Sequence, residues 1–317
     1  MKVLITRKIP SIAKELLIQK GIEVKESSLK RPLTKIELIK FAKDADGILS
    51  LLSDKFDKEV IDQLPKCKVI ANYAVGFNNI DISYAKKRGI IITNTPDVLT
   101  DATAEIAVSL ILACSRRIVE SENYMRQLKF KGWEPELFLG IQLSGKKAGI
   151  IGAGRIGQAT AKRLKAFGCE ILYYGKSKKP NFEKETNAEK VDLNILMKSS
   201  DFISIHLPLN SETKNLLNKE KLDLLKPTAI IVNTARGEII EEKYLIELLK
   251  NKKIFSAGFD VYENEPKLNK ALFKLKNVVL LPHIGSATFE TRNKMAELAA
   301  KNILNILNGK DALTPVV

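Results

Sequence analysis

Residues 146–157 read KKAGIIGAGRIG, and this stretch decides the fold of the chain. An apolar run typical of a buried strand leads into Gly152, Gly154 and Gly157, and a helical pattern and a second strand pattern follow. The spacing G-x-G-x-x-G at a strand-to-helix turn is typical of a dinucleotide-binding βαβ unit. The first glycine permits the tight turn, the second lets the backbone approach a pyrophosphate, and the third allows close helix packing. The alternative is a tight turn that binds no ligand.

The end of the second strand predicts which dinucleotide is bound. Folds specific for NAD carry an acid there, about 20 residues beyond the first glycine, which binds the ribose 2′-hydroxyl. Residues 174–179 read YGKSKK and contain no acid. Gly175, Lys176 and Ser177 suit a 2′-phosphate instead, because a lysine and a hydroxyl donate charge-assisted hydrogen bonds to it. We therefore expect NADPH to be preferred and NADH to be possible, the alternative being a solvated lysine loop.

Strand and helix patterns alternate outward from this motif in both directions, which predicts βαβ units and parallel sheets. Predicted strands before the motif are residues 3–6, 22–25, 47–51, 68–73 and 90–93. Predicted strands from the motif onward are residues 147–151, 170–174, 202–206, 229–233, 254–258 and 278–281. Ser11 and Thr34 are expected helix N-caps, and Glu37 completes a capping box with Thr34. The sequence thus predicts two α/β units in tandem.

Two longer helical segments complete the pattern. Residues 101–128 are too apolar for a surface helix, so we expect them to pack between domains or subunits. A final helix is expected over residues 288–307, where it follows the last strand of the second unit and returns to the first.

Composition limits the classes of function. The chain has 317 residues, about two domains, with 52 basic and 37 acidic side chains and a net charge of +15. Because the lysines are spread along the chain, we expect a solvated surface and no nucleic-acid partner, although a polyanion partner is the alternative. The longest apolar run, residues 106–114, is too short to span a membrane. Three distant cysteines exclude a disulfide framework and a CxxC metal site, so we expect a cytoplasmic protein that holds no metal.

The two histidines and an arginine follow apolar strands. His206 lies in DFISIHLP, His283 lies in NVVLLPHIGSA, Arg236 lies in IIVNTARGEII, and Glu265 lies in AGFDVYENEP. Ligands of open α/β sheets bind beyond the carboxyl ends of the strands, so these side chains are candidates for one crevice. We interpret His206 as structural. The other three residues suit the reduction of a 2-keto acid: an arginine holds the carboxylate, a histidine protonates the alkoxide, and a glutamate orients the imidazole.

At these residues the chain resembles the D-isomer-specific 2-hydroxyacid dehydrogenases along essentially its whole length. The resemblance depends on ANYAVGFNNID, TNTPDVLTDATAEIAVSL, GIIGAGRIGQA, HLPLNSET, NTARGEII, FDVYENEP and LPHIGSAT. Within the family, the chain is most similar to the glyoxylate/hydroxypyruvate reductases. The resemblance implies two doubly wound parallel-sheet domains: a flavodoxin-like substrate domain, discontinuous over residues 1–97 and 287–317, and a Rossmann cofactor domain over residues 98–286.

The resemblance also implies a role for individual residues. Arg236, Glu265 and His283 are the implied catalytic residues. The implied substrate-binding residues are Leu51, Val75, Gly76, Arg236, His283 and Trp133. The implied cofactor-binding residues are Thr103, Gly152, Ala153, Gly154, Arg155, Ile156, Gly157, Gly175, Lys176, Ser177, Thr234, Ala235, Asp260 and Gly285. The family is usually a homodimer, in which Trp133 matches the position that reaches the partner's active site. One departure is Phe77–Asn79, where the family usually has a D-N or D-H pair.

Three alternatives remain open at this stage. A 3-phosphoglycerate dehydrogenase normally carries an acid after Tyr174, and a D-lactate-type enzyme acts on pyruvate or bulkier keto acids. A dinucleotide-sensing protein similar to the C-terminal-binding corepressors shares the fold without needing catalysis, although the intact Arg236, Glu265 and His283 set disfavours it. The expected reaction is the reduction of glyoxylate and hydroxypyruvate to glycolate and D-glycerate.

Overall fold

The computed structural model describes residues 1–316, which form two compact units. The first unit comprises residues 1–99 together with the residues from 286 onward, and the second comprises residues 100–285. The expected α/β class is confirmed, because both units are built on a parallel sheet with helices between the strands.

The first unit has five strands in the order β2-β1-β3-β4-β5. This order, 2-1-3-4-5, is that of flavodoxin-like folds. Its strands are β1 (Lys2–Ile5), β2 (Glu23–Glu26), β3 (Gly47–Ser50), β4 (Val69–Asn72) and β5 (Ile91–Thr93). Its helices are α1 (Ile12–Gln19), α2 (Lys35–Ala42), α3 (Lys58–Asp62), α4 (Ile82–Lys87) and, from the end of the chain, α12 (Phe289–Leu307).

Local signals at the helix ends of this unit were partly correct. Thr34 and Glu37 form the expected capping box of α2. Ser11 occupies the N-cap position of α1, as expected, but its backbone is helical and its side chain makes no capping hydrogen bond. The final helix α12 begins after Thr288, whose hydroxyl accepts a hydrogen bond from the Thr291 N–H. It packs against α1, β3 and β4 and so completes the first unit.

The second unit has seven parallel strands in the order β12-β11-β10-β9-β6-β7-β8. The order reverses beside β6, the strand that leads into the glycine-rich turn, as in Rossmann folds. Its strands are β6 (Lys147–Ile151), β7 (Glu170–Tyr174), β8 (Glu189–Lys190), β9 (Phe202–Ile205), β10 (Ile230–Asn233), β11 (Ser256–Phe259) and β12 (Val278–Leu280). Its helices are α5 (Thr100–Ser115), α6 (Ile118–Arg126), α7 (Arg155–Ala166), α8 (Pro180–Thr186), α9 (Leu193–Ser199), α10 (Lys219–Leu222) and α11 (Glu242–Lys250).

The long helix expected over residues 101–128 is two helices. Arg117 lies between α5 and α6 in the left-handed region, with φ 51°, and this ends the first helix. Helix α5 packs on β10, β11, β12 and α7 of its own unit, which accounts for its apolar sequence. Helix α6, in contrast, has no buried residue.

No helix within residues 1–316 is long and apolar enough to cross a membrane. The three cysteines are buried and unpaired, and burial raises the pKa of Cys67 and Cys114 to about 12. These thiols are therefore protonated and unreactive at neutral pH.

Candidate active site at the strand ends of the second unit

The glycine-rich turn between β6 and α7 has no room for side chains at two of its three glycines. Gly152 has φ 100°, and a Cβ there would lie 2.8 Å from the His206 carbonyl carbon. A Cβ on Gly157 would lie 2.1 Å from the Gly152 carbonyl oxygen. A Cβ on Gly154, the N-cap of α7, would meet nothing within 4 Å. The turn therefore presents open backbone at the positive end of a helix, where a pyrophosphate binds.

Other residues of this unit also fit a dinucleotide. Arg155 and Ile156 form the first turn of α7, and buried Ala153 lies beside Gly175 at the end of β7. The Thr234 hydroxyl is buried without a hydrogen-bond partner in the described chain, so it is available to a ligand. An unsatisfied buried hydroxyl is costly, which makes a bound polar group its natural partner.

The lysine expected to meet a 2′-phosphate has a partner within the chain. The Lys176 ammonium lies 2.5 Å from a Glu212 carboxylate oxygen, and both side chains are exposed. The hydrogen bond that Lys176 donates to Glu212 and the negative charge of Glu212 raise the pKa of Lys176. Ser177 is also exposed. A phosphate at this position has to compete with Glu212 for the lysine.

Glu265 and His283 form a hydrogen-bonded pair. The Nδ1 atom of His283 lies 3.0 Å from Glu265 Oε2, and Oε1 of the same carboxylate accepts the Tyr262 N–H at 3.0 Å. Burial raises the pKa of Glu265, but the hydrogen bonds from His283 and Tyr262 and the charge of Arg236 outweigh it, so this pKa is lowered. Glu265 is therefore an ionised carboxylate at neutral pH. Its hydrogen bond to Nδ1 holds the imidazole in one orientation, in which Nε2 faces away from Glu265.

Asp260 fixes the loop that carries His283. Its two carboxylate oxygens accept the N–H groups of Ile284 and Gly285, each at 2.7 Å. His283 itself has φ 58°, a left-handed conformation that is costly for a residue with a side chain. Burial of Asp260 raises its pKa against those hydrogen bonds. The two hydrogen bonds stabilise the strained backbone and set the direction of the imidazole.

Arg236 follows β10 and lies close to this pair. Burial lowers its pKa, and the charges of Glu265 and Glu238 oppose that effect. The Arg236 guanidinium donates a hydrogen bond to the Ala235 carbonyl at 2.6 Å. Asn233, the last residue of β10, holds the segment through its side chain, which donates to the Arg236 carbonyl at 2.7 Å and accepts the Ala235 N–H at 2.9 Å.

The structure thus brings most of the expected site residues together at one sheet edge. Arg236 follows β10, Asp260 and Glu265 follow β11, and His283 follows β12, which are neighbouring parallel strands. Thr103, near the start of α5, contacts this edge, since a Cβ on Gly285 would lie 3.3 Å from its Cγ2.

The remaining substrate-binding candidates follow other elements of the chain. Leu51 follows β3, and Val75 and Gly76 follow β4, at the corresponding edge of the first unit's sheet. Trp133 lies in the connection after α6 and is 84% exposed.

His206 has a structural position. Its Nε2 lies 2.8 Å from the Ser204 hydroxyl, and burial lowers the pKa of this imidazole to about 3. Its backbone closes the space beside Gly152.

Sequence reasoning missed Asn233 and Tyr262. Tyr262 joins two strand ends, because its hydroxyl donates to the Leu281 carbonyl at 2.7 Å. The only signal in the sequence was their position, at the end of an apolar strand or a few residues beyond it and near a candidate residue.

Comparison with known proteins agrees with this geometry. Residues 108–285 match the sequence profile of the NAD binding domain of D-isomer specific 2-hydroxyacid dehydrogenases. The chain is 49% identical over 313 residues to the glyoxylate reductase of Thermococcus litoralis, covering 98% of this chain and 94% of that protein. It is 48% identical over 313 residues to the glyoxylate reductase of Thermococcus kodakarensis, again with 98% and 94% covered.

Solved structures are similar over the whole length. A crystal structure of a protein from Thermus thermophilus has a TM-score of 0.94 and 42% identity and covers 100% of both chains. The NADPH-dependent glyoxylate/hydroxypyruvate reductase of Sinorhizobium meliloti, solved in complex with citrate, has a TM-score of 0.88 and 32% identity, covering 100% of this chain and 97% of that one. The chain therefore binds a nicotinamide dinucleotide and belongs to the D-isomer specific 2-hydroxyacid dehydrogenases, a family of oxidoreductases.

Proposed function

We propose that this enzyme reduces glyoxylate to glycolate and hydroxypyruvate to D-glycerate. The observation that carries the proposal is the hydrogen-bonded pair of His283 and Glu265, with Arg236 after the neighbouring strand. The names of the similar proteins from Thermococcus and Sinorhizobium support this substrate class.

Arg236 is the substrate anchor in this proposal. A guanidinium presents parallel N–H donors that match a carboxylate, and partial burial strengthens the pairing. The same side chain polarises the keto oxygen of a bound 2-oxoacid. This arrangement favours substrates in which a carbonyl lies directly beside a carboxylate.

His283 donates the proton. When bound, the reduced nicotinamide supplies the hydride that attacks the carbonyl carbon. Reduction converts the carbonyl oxygen to an alkoxide, and protonated His283 delivers a proton to that oxygen from Nε2 while Nδ1 stays on Glu265. Glu265 stabilises the imidazolium, and Asp260 holds its loop. In the reverse direction, neutral His283 removes the hydroxyl proton.

The cofactor is held by the second unit. We assign the pyrophosphate to the glycine-rich turn and the nicotinamide end to the strand ends that follow β10, β11 and β12. The residues assigned to the cofactor are Thr103, Gly152, Ala153, Gly154, Arg155, Ile156, Gly157, Gly175, Lys176, Ser177, Thr234, Ala235, Asp260 and Gly285. We propose that NADPH is preferred, with NADH also used, because the end of β7 carries Lys176 and Ser177 and no acid.

The first unit contributes to substrate binding in this proposal. The N–H groups of Val75 and Gly76 are assigned to the substrate carboxylate, and Leu51 to the wall of the pocket.

We further propose a homodimer formed through α6 and the connection that follows it. This segment exposes large apolar side chains that a monomer would leave in water. They are Ile118, Met125, Leu128, Phe130, Trp133 and Leu139. The dimer predicts that Leu128→Asp produces a monomer in analytical ultracentrifugation, whereas Ile36→Asp, a change at another exposed apolar residue, does not.

The test of the function is a steady-state panel. Glyoxylate, hydroxypyruvate, pyruvate and 3-phosphohydroxypyruvate are each measured with NADPH and with NADH. The proposal expects the highest kcat/KM for glyoxylate and hydroxypyruvate. A preference for pyruvate or for the phosphorylated substrate would contradict it, and no reduction of any of the four would favour a dinucleotide-sensing protein.

A further inference from the structure

The same five-residue pattern, N-x-A-x-G, follows one strand in each unit. In the first unit, residues 72–76 read NYAVG and follow β4, with Asn72 as the last residue of the strand. In the second unit, residues 233–237 read NTARG and follow β10, with Asn233 as the last residue. Both asparagines are buried at the carboxyl edge of a parallel sheet. We call these two segments the NYAVG loop and the NTARG loop.

In the NYAVG loop, side chains donate hydrogen bonds to two backbone carbonyl groups, while two backbone N–H groups stay unpaired. The Asn72 side chain donates to the Gly76 carbonyl at 2.8 Å, and its oxygen accepts from the Ser50 hydroxyl at 3.2 Å. The Asn94 side chain donates to the Val75 carbonyl at 2.8 Å. Within residues 1–316, the N–H groups of Val75 and Gly76 have no hydrogen-bond partner. Consecutive unpaired N–H groups of this kind bind anions.

In the NTARG loop, the same device holds an arginine. The Asn233 side chain bridges its own loop by donating to the Arg236 carbonyl at 2.7 Å and accepting the Ala235 N–H at 2.9 Å. Gly237 ends the loop where no side chain fits, since a Cβ there would lie 1.9 Å from the Tyr262 carbonyl carbon. The backbone of Arg236 is thereby fixed against the segment that leads to Glu265.

We infer that Asn72 and Asn233 are a matched pair of positioning residues, each of which pre-organises the loop of its own unit: the NYAVG loop to bind an anion through its N–H groups, and the NTARG loop to present Arg236. Neither side chain has to touch the substrate. Asn72 fixes the direction of the N–H groups of Val75 and Gly76. Asn233 fixes the backbone from which the Arg236 side chain extends. Because a pre-organised donor loses little entropy on binding, removing the device weakens anion binding while the rest of the fold remains. The inference rests on the proposed function, which assigns the carboxylate to these loops.

The experiment measures oxalate binding, because oxalate has the shape of glyoxylate and is not reduced. The variants are Asn72→Asp and Asn233→Asp, which keep the size and the acceptor oxygen of the side chain and remove the donor to the loop carbonyl. With NADPH bound, calorimetry is expected to show about tenfold weaker oxalate binding in each variant. Affinity for NADPH is expected to stay within about twofold of wild type in Asn72→Asp. In Asn233→Asp it is expected to weaken as well, because the NTARG loop carries Thr234 and Ala235, so oxalate is titrated at saturating NADPH. Asn72→Ser provides an uncharged check, since a negative charge alone would also weaken anion binding.

Kinetics separate the two positions. Asn72→Asp is expected to raise the KM for glyoxylate with little change in kcat, because backbone N–H groups hold only the carboxylate. Asn233→Asp is expected to raise KM and lower kcat, because Arg236 also polarises the reacting carbonyl. The matched control is Asn277→Asp. Asn277 also donates from its side chain to backbone carbonyls, those of Leu249 and Phe255, in a region that carries no proposed site residue. It is expected to alter stability without altering oxalate binding.

Hydrogen exchange keeps the inference testable if a variant fails to fold. In the wild-type protein without ligand, the hydrogen-bonded N–H groups of Ala74 and Ala235 are expected to be protected from exchange to a similar degree as the strands before them, whereas the unpaired N–H groups of Val75 and Gly76 are expected to exchange rapidly. Rapid exchange of Ala74 or Ala235 until oxalate binds would overturn the inference. So would wild-type oxalate affinity in folded Asn72→Ser and Asn233→Asp. Failure of wild type to reduce glyoxylate would contradict the proposed function instead, while the exchange measurement would still test the loops.

Discussion

The NYAVG and NTARG loops have the same frame and carry different groups. In both, an asparagine at the end of a buried strand turns its side chain onto a carbonyl of the following loop. The first-unit loop then offers neutral backbone N–H groups, and the second-unit loop offers a guanidinium. The comparison teaches that one arrangement of an asparagine side chain can hold either a loop with free backbone N–H groups or a loop that carries a guanidinium.

The difference extends to the neighbouring strand ends. In the second unit, Arg236, Asp260, Glu265 and His283 are all charged or chargeable, and they contact or electrostatically affect one another. In the first unit, the loops after β3, β4 and β5 are joined by the neutral side chains of Asn72, Asn79 and Asn94, and the Asp54 carboxyl in the loop after β3 is buried and accepts from the Thr6 hydroxyl and the Leu51 N–H. Changes at the charged edge are therefore expected to affect kcat, and changes at the neutral edge to affect KM.

The largest effect is expected at the histidine of the charged edge. His283→Ala removes the proposed proton donor, and kcat/KM for glyoxylate should fall by about 10²- to 10⁴-fold. His206→Gln is the matched control, because the His206 imidazole is hydrogen-bonded to Ser204 beside the glycine-rich turn and is not one of the proposed catalytic groups. It should retain most of the activity. Equal losses in the two variants would show that His283 is not a specific proton donor.

A slightly smaller effect is expected from Arg236→Lys. The substitution keeps the charge and loses the parallel N–H donors, so kcat/KM should fall by about 10²- to 10³-fold with both KM and kcat affected. The comparison with Asn72→Asp sharpens the difference between the two loops, since that variant should change KM alone. A change in KM alone at Arg236 would erase the distinction between the charged and the neutral edge.

A moderate effect is expected at the exposed charge after β7. Lys176→Asp should lower kcat/KM with NADPH by about tenfold and leave NADH nearly unchanged, because a 2′-phosphate would then meet two carboxylates. Glu212→Gln releases Lys176 from its ion pair and should shift the ratio the opposite way. An unchanged ratio of NADPH to NADH in both variants would show that this pair has no influence on cofactor choice.

The smallest effect is on stability and concerns His206. Its pKa is about 3 in the folded protein and ordinarily 6.5, so the unfolded chain binds a proton in this interval while the folded chain does not. The free energy of unfolding should therefore decrease as the pH falls below about 6.5, with a loss of about 1–2 kcal/mol by pH 5 from this residue. Urea unfolding at pH 7 and pH 5 measures it. His206→Gln should lose less stability between these pH values, and an equal loss would assign the pH dependence to other groups.

Much of the fold was determined by short-range patterns. The strand into KKAGIIGAGRIG, the alternation of strands and helices, and the capping box of Thr34 each depend on residues a few positions apart. The two-residue strand β8 was missed, because so short a segment has no periodicity to detect. The predicted continuous helix was wrong because a left-handed residue, here Arg117, can be any residue type that the surrounding contacts hold in place.

By itself, the sequence determined the α/β class, the dinucleotide-binding turn and the family. Glycine spacing, apolar periodicity and short motifs depend only on residues that are close together in the sequence, so they can be read without the tertiary structure. It also placed Arg236, Glu265 and His283 at strand ends. Only the tertiary structure decided that Glu265 accepts a hydrogen bond from His283 and that Asp260 holds the His283 loop. It also decided that Glu212 forms an ion pair with Lys176, and that Asn72 and Asn233 hold their loops by hydrogen bonds. Each of these contacts depends on the direction of a side chain after the backbone has turned. That direction depends on the packing of distant segments, which neighbouring residues in the sequence do not encode.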